Sequence, residues 1–219
     1  MNDAPTCRGF GSSTSDVLAA VRAVGDAFDA PLPPSVVARL AVQAEAASDS
    51  LMYENTAVLF AHRDGEVIED FGYALPPLHV LGFGAGLGDG KGVDTLALRP
   101  ARYTSWEIGK FAELRTLLRE AIANEDAGLL GVVATASMNI NQRHLPIFDL
   151  DRIHSIAREV GAAGVQTAHS GDIASLLFDA SDPEAESRIE VAQTLLRNIE
   201  IHEQWKFMTG ARNEICNAS

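Results

Sequence analysis

The chain has 219 residues and a formal net charge of −13, from 17 Lys and Arg against 30 Asp and Glu. That balance argues against nucleic acid as a partner, because a phosphate backbone needs clustered cations, but it leaves room for a single nucleotide held by local donors and a metal ion. A length of 219 residues, 47% of them hydrophobic, fits one substantial globular domain or two small ones.

Ser15 to Ala27 reads as a helix, with Val17, Leu18, Val21, Val24 and Phe28 at helical spacing. Pro31, Pro33 and Pro34 break it, and Ser35 opens a second helix through about Ala47. Thr56 to His62 is β-rich, Asp64-Gly65 signals a hairpin turn, and Glu66 to Phe71 returns. Leu78 to Phe83 is a further strand, followed by a glycine-rich loop from Gly84 to Gly92. Helices are expected at Ser105 to Asn124, Asp126 to Gln142 and Leu150 to Val160, the last capped by Asp149 and ended by Gly161. Short strands at Gly164 to Ala168 and Ile173 to Phe178 flank the turn His169-Ser170-Gly171-Asp172. Pro183 to Arg197 is a helix, and Asn198 to Phe207 alternates as a last strand. This order describes an α+β fold in two lobes, not a regular βαβ array.

No apolar run is long enough to span a bilayer. Met1-Asn2-Asp3-Ala4-Pro5 lacks the basic and apolar regions of a signal peptide, so a cytoplasmic location and no membrane partner are expected. The two cysteines, Cys7 and Cys216, are expected as free thiols, and no Cys-x-x-Cys or His-Glu-x-x-His pattern supports a zinc site. Gly82 to Gly92 fails as a Walker loop, since Ala85 stands where glycine is needed and Gly92 where Ser or Thr is needed around Lys91.

Gly9-Phe10-Gly11-Ser12-Ser13-Thr14-Ser15, directly before a helical pattern, is a candidate phosphate cradle. Glycines admit an anion to backbone N–H groups, and a helix N-terminus adds unpaired amides and the positive end of its dipole. Ser12 and Ser13 can bond phosphate or ligate a cation. The plainer alternative is a serine or threonine capping a helix after a turn.

With Pro5 four residues upstream, this segment resembles the phosphate-binding motif of the GHMP kinases, Pro-x-x-x-Gly-Leu-Gly-Ser-Ser-Ala, with Phe10 for Leu and Thr14 for Ala. Gly164 to Leu177, containing Ala168-His169-Ser170-Gly171, is similar to the late glycine-rich motif of the same family, in the version found in its L-threonine kinase branch. Val93-Asp94-Thr95 also fits that branch.

The resemblance implies a two-lobe GHMP-kinase-like fold. An incomplete N-terminal ATP-binding lobe of the ribosomal-protein-S5-like type would span residues 1–75, and a ferredoxin-like α+β lobe residues 76–219. It implies ATP and Mg²⁺ as cofactors and phosphoryl transfer to the hydroxyl of a small metabolite, L-threonine or a similar hydroxy amino acid. Gly9, Gly11, Ser12, Ser13 and Thr14 would bind the nucleotide, and Ser13 with Glu45 the metal. Asp49 would serve as base, with Glu54, or no base at all, as the alternatives, and His169, Ser170 and Gly171 would line the substrate. Each of these carboxylates could equally be a solvated face of an acidic chain. Asn139, Asn141, Gln142 and His144 suit either a polar substrate or an ordinary helix end.

Family members carry a sizeable segment before the phosphate loop, whereas Met1 to Arg8 precede it here. The expectation is a chain that is poorly active alone, forms a homodimer, or takes a partner polypeptide. The alternatives are one half of a split kinase, a non-catalytic nucleotide-binding or regulatory remnant, and an α+β interaction module with coincidental motifs.

Overall fold

The computed structural model describes residues 11–85, 101–168 and 171–209. The chain divides into two compact units, Met1–Ala74 and Leu75–Ser219. Cys7, Cys216, Gly9, Lys91, Val93-Asp94-Thr95, His169 and Ser170 lie outside the described residues.

The first unit contains α1 (Ser12–Ala27), α2 (Pro34–Glu45) and an antiparallel hairpin of β1 (Val58–Ala61) and β2 (Glu66–Asp70), with a bulge between Leu59 and Phe60. Helix α1 begins three residues before the apolar periodicity suggests, because Gly11 adopts the left-handed region (φ 68°) and Ser12 already lies in the first turn. Pro33 and Pro34 open α2, where proline's fixed φ and missing N–H cost nothing. The helix ends at Ala46, which is left-handed (φ 63°) and donates its N–H to Val42 O at 2.8 Å. Leu18, Val37, Ala38, Ala41 and Met52 form a small core, with Tyr53 and Phe60 packed against it. Gly65 turns the hairpin (φ 70°) so close to α2 that a Cβ would stand 3.2 Å from Ala38 O.

The second unit contains β3 (Leu78–Gly84), α3 (Ser105–Ala123), α4 (Ala127–Asn141), α5 (Leu150–Glu159), β4 (Gly164–Thr167), β5 (Ile173–Asp179), α6 (Ala185–Arg197) and β6 (Gln204–Met208). Its four-stranded sheet has the order β4-β5-β3-β6, and every neighbouring pair is antiparallel. Strand, helical crossover, two strands, helix, strand, with the two halves interleaved in the sheet, is the ferredoxin-like arrangement. Leu81, Phe83, Leu176 and Phe178 face α5 and α6 through Ile153, Ile156, Ile189 and Leu196. Leu78, Val80 and Leu177 face the other way, onto Ala121, Ala127 and Leu130 of α3 and α4.

Helix α4 also covers the edge strand β4. Gly131 and Gly164 bring the two backbones into contact, and Thr135 Oγ1 accepts the Val165 N–H at 2.9 Å. One side-chain hydroxyl thus takes a donor that a bare sheet edge would offer to another chain. A capping box of Thr104 and Glu107 starts α3. Arg143, two residues past the end of α4, bonds Glu107 at 2.7 Å and Arg102 O at 2.8 Å, which ties the start of α3 to the end of α4.

Two local expectations are corrected. Residues 198–203 are not strand: Asn198 and Ile199 donate to Thr194 O and Leu196 O, and Glu200 turns the chain at φ 65°. The alternation of Ile199 and Ile201 comes from a turn that packs both against the core, so β6 starts only at Gln204. Asp149 occupies the N-cap position of α5 but makes no capping bond. It is left-handed at φ 48°, and its carboxylate pairs with Arg152 at 3.4 Å.

Two helix glycines have opposite expectations. A Cβ on Gly131 would lie 2.1 Å from Ala163 O, backbone that must move, so Gly131→Ala should lose about 2 kcal/mol or more. Gly109, exposed in α3, has nothing within 4 Å, and Gly109→Ala should gain about 0.5–1 kcal/mol. Urea unfolding of both variants checks the pair.

Candidate active site

The first unit gathers six of the expected residues at one place, around the start of α1: Gly11, Ser12, Ser13, Thr14, Glu45 and Asp49. Gly11 is the N-cap, and the first intrahelical bond there runs from Ser15 N to Gly11 O at 2.9 Å. The amides of Ser12, Ser13 and Thr14 therefore precede the helical ladder, and the N-cap residue has no side chain to take them. Such a terminus favours an anion through its N–H groups and its dipole.

The last residue of α2 reaches this turn. Ser13 Oγ donates to Glu45 Oε1, and Thr14 Oγ1 donates to Glu45 Oε2 at 3.2 Å. The Asp49 N–H donates to Thr14 Oγ1 at 3.2 Å. Gly11 is needed twice here, for its left-handed backbone and because a Cβ would stand 2.7 Å from Asp49 Oδ2. The segment carrying Asp49 is pinned by the buried Ser48, whose N–H bonds His62 O at 2.8 Å and whose hydroxyl bonds Asp49 O at 3.0 Å. Asp49 keeps access to solvent. Its carboxyl is nonetheless held above the usual carboxylate range, first by surrounding protein and then by the charge of Glu45, with His62 acting in the opposite sense.

Ser13 and Glu45 offer a hydroxyl and a carboxylate side by side. Among the described residues no group of three or more His, Cys, Asp or Glu could hold a metal ion. The pair therefore suits a cation completed by phosphate oxygens and water, as Mg²⁺ usually is, rather than an all-protein cage.

Glu54, the alternative carboxylate, is paired with Arg22 of α1. In the second unit, Gly171 and Asp172 are buried at the β4–β5 turn, and Asp172 O accepts the Ala85 N–H at 2.8 Å. Asn139 bonds His154 at 3.1 Å, and Gln142 Oε1 accepts the Ile147 N–H at 2.9 Å. His144 lies edge-on to Tyr103, 5.0 Å between centroids, while Asn141 is buried with its amide nitrogen unpartnered among the described residues. Asn139, Gln142 and His144 thus have local roles at the end of α4. The part played by Ser48 and His62 around Asp49 had no signal in the sequence, since neither belongs to a motif.

The fold is that of the GHMP kinases. It aligns with the homoserine kinase of Cytophaga hutchinsonii at a TM-score of 0.67 and 17% identity, over 94% of this chain and 67% of that one. With the mevalonate kinase of methicillin-resistant Staphylococcus aureus the TM-score is 0.62 at 18% identity, over 95% and 70%. Residues 1–52 match the family described as GHMP kinases N terminal domain. In sequence the chain is 28% identical to the L-threonine kinase of Citrobacter freundii over 182 residues, 80% of this chain. It spans 59% of that relative's length.

Asp49 generates a prediction with a definite sign. Because its folded pKa is raised, the native state holds more protons than the unfolded state from the ordinary Asp value of about 3.9 upward. Stability falls as pH rises through that window, and the ionised carboxyl remains unfavourable above it. Asp49→Asn should be more stable than the wild type near pH 7, with the difference shrinking toward pH 4. Urea unfolding across that range checks it, and parallel curves would reject the assignment.

Proposed function

We propose that the chain performs GHMP-type phosphoryl transfer from ATP to the hydroxyl of a small metabolite. The carrying observation is the Ser13–Glu45 contact at an uncapped helix N-terminus. In this reading residues 1–75 supply the ATP-binding lobe. The backbone of Gly9, Gly11, Ser12, Ser13 and Thr14 receives the phosphates, with the Ser12 and Ser13 hydroxyls beside them. The Ser13 hydroxyl and Glu45 carboxylate would hold Mg²⁺, which would supply neutralisation of phosphate charge.

The chain's own residues then act mainly by positioning and fixed charge. The helix terminus places partial positive charge where the transferring group gains negative charge. Asp49 orients the acceptor hydroxyl and takes its proton, and a carboxyl raised above its usual range is better matched to that task than an ordinary one. By the resemblance of its late glycine-rich motif, the chain would use His169, Ser170 and Gly171 to line the acceptor. Similarity to the Citrobacter enzyme supports L-threonine or a similar hydroxy amino acid as that acceptor.

Calorimetric titration with ATP tests the reading. Wild-type protein should bind ATP more tightly with Mg²⁺ than in EDTA. Glu45→Gln should lose about tenfold in Mg²⁺ and little in EDTA, a difference of about 1.4 kcal/mol. Equal Mg²⁺ dependence in both proteins would reject Glu45 as a ligand, and a folded wild type that binds no ATP would reject the function.

A further inference from the structure

We propose that Thr14 is a positioning residue whose hydroxyl relays between the Asp49 backbone amide and the Glu45 carboxylate, locking both acidic positions to the first turn of α1. This deepens the kinase reading and rests on it for its functional consequence, though the relay itself is a property of the ligand-free protein. The direction of the relay follows from hydrogen-bond valence. A backbone N–H can only donate, so at 3.2 Å the Asp49 amide makes Thr14 Oγ1 an acceptor. An ionised carboxylate can only accept, so the single hydroxyl proton goes to Glu45 Oε2, also at 3.2 Å.

Burial separates Thr14 from its neighbour. Thr14 is 3% exposed, whereas Ser13 is exposed. Both hydroxyls touch Glu45, one on each oxygen, but only Ser13 stands where an incoming ligand can reach it. Threonine also suits a fixed relay better than serine, because its branched Cβ restricts χ1 within a helix. The Glu45 carboxylate is thereby held in one rotation by Thr14, with Oε1 on the Ser13 side. The same hydroxyl sets the start of the segment that brings Asp49 Oδ2 against Gly11. Among the described residues the other hydrogen bond to the Glu45 carboxylate comes from Ser13, which the kinase reading assigns to the metal. Thr14 would therefore govern metal affinity and carboxylate placement without touching the nucleotide through its side chain.

Thr14→Val keeps the shape and removes the relay, while Thr14→Ser keeps the hydroxyl. Both are compared with wild type by urea unfolding, by NMR of the ligand-free protein, and by ATP titration at varied Mg²⁺. Thr14→Val should raise the apparent Mg²⁺ dissociation constant roughly tenfold, the equivalent of one hydrogen bond to a charged group. ATP binding in EDTA should weaken much less than binding in Mg²⁺, and Thr14→Ser should restore most of the Mg²⁺ affinity. In the free protein, Thr14→Val should shift the Asp49 amide resonance and the Glu45 side-chain carboxyl carbon resonance, and Thr14→Ser should leave both near wild type. Equal loss with and without Mg²⁺ would make Thr14 a direct phosphate ligand and overturn the proposal. Unmoved Asp49 and Glu45 signals would overturn it whatever the nucleotide result. Should the wild type bind no Mg·ATP, the kinase reading fails while the NMR comparison still decides the relay. Should Thr14→Val not fold, slow hydrogen exchange of the wild-type Asp49 amide supports the relay, and exchange as fast as in an exposed loop overturns it.

Discussion

The carboxylate of Glu45, gripped by two hydroxyls from the first turn of α1, joins the end of one helix to the start of another. Its weight comes from how small the core is among the described residues of the first unit. The buried core there is Leu18, Val37, Ala38, Ala41 and Met52, in which two of the five side chains are single methyl groups. Burying a large apolar side chain is worth about 1.5–3 kcal/mol, and a hydrogen bond to a charged group about the same. A polar contact here stands level with a core residue, so the geometry of the site and the integrity of the unit depend on the same atoms. Arg22 with Glu54 adds an exposed pair between α1 and the turn before β1, which contributes far less.

The second unit is organised on different terms. Its sheet is covered on both faces by apolar side chains, and its tightest constraint is steric: Gly131 and Gly164 let a helix lie directly on an edge strand. Thr135 then satisfies the Val165 N–H. The open sheet is thereby closed at β4 by a helix rather than by another strand. Gly171 and Asp172 are buried just before β5, and the Asp172 carbonyl accepts the N–H of Ala85, just past β3.

Element order and type were legible in the residues because apolar spacing and breakers agree along the chain. The periodicity of α1, the prolines before α2 and the Asp64-Gly65 turn each have a local physical cause. The misreadings were also local. Ile199 and Ile201 alternate like a strand but belong to a turn after α6. Asp149 stands where a cap should be, yet its left-handed backbone turns the carboxylate to Arg152. Ser12 looks like loop but is helix, since Gly11 supplies the left-handed residue that starts the helix early. Of the candidate site, the phosphate-loop motif and its match to Glu45 could be read as a pattern; the surroundings of Asp49 could not, because Ser48 and His62 reach it only through folding.

By itself the sequence determined which chemistry is present: a glycine before hydroxyls at a helix start, carboxylates after the second helix, and apolar periods that set the elements. Tertiary structure alone decided how those groups divide the work. Ser13 and Thr14 are neighbours of nearly equal chemistry, yet one is exposed and the other buried, with its hydroxyl between Asp49 and Glu45. Spacing along the chain cannot distinguish them, because the partner of a hydroxyl is set by what packs beside it, and Glu45 lies 31 residues from Thr14. Interleaving of β3 between β5 and β6 is equally a matter of the folded sheet, where pairing depends on which apolar faces can be buried together and not on chain order.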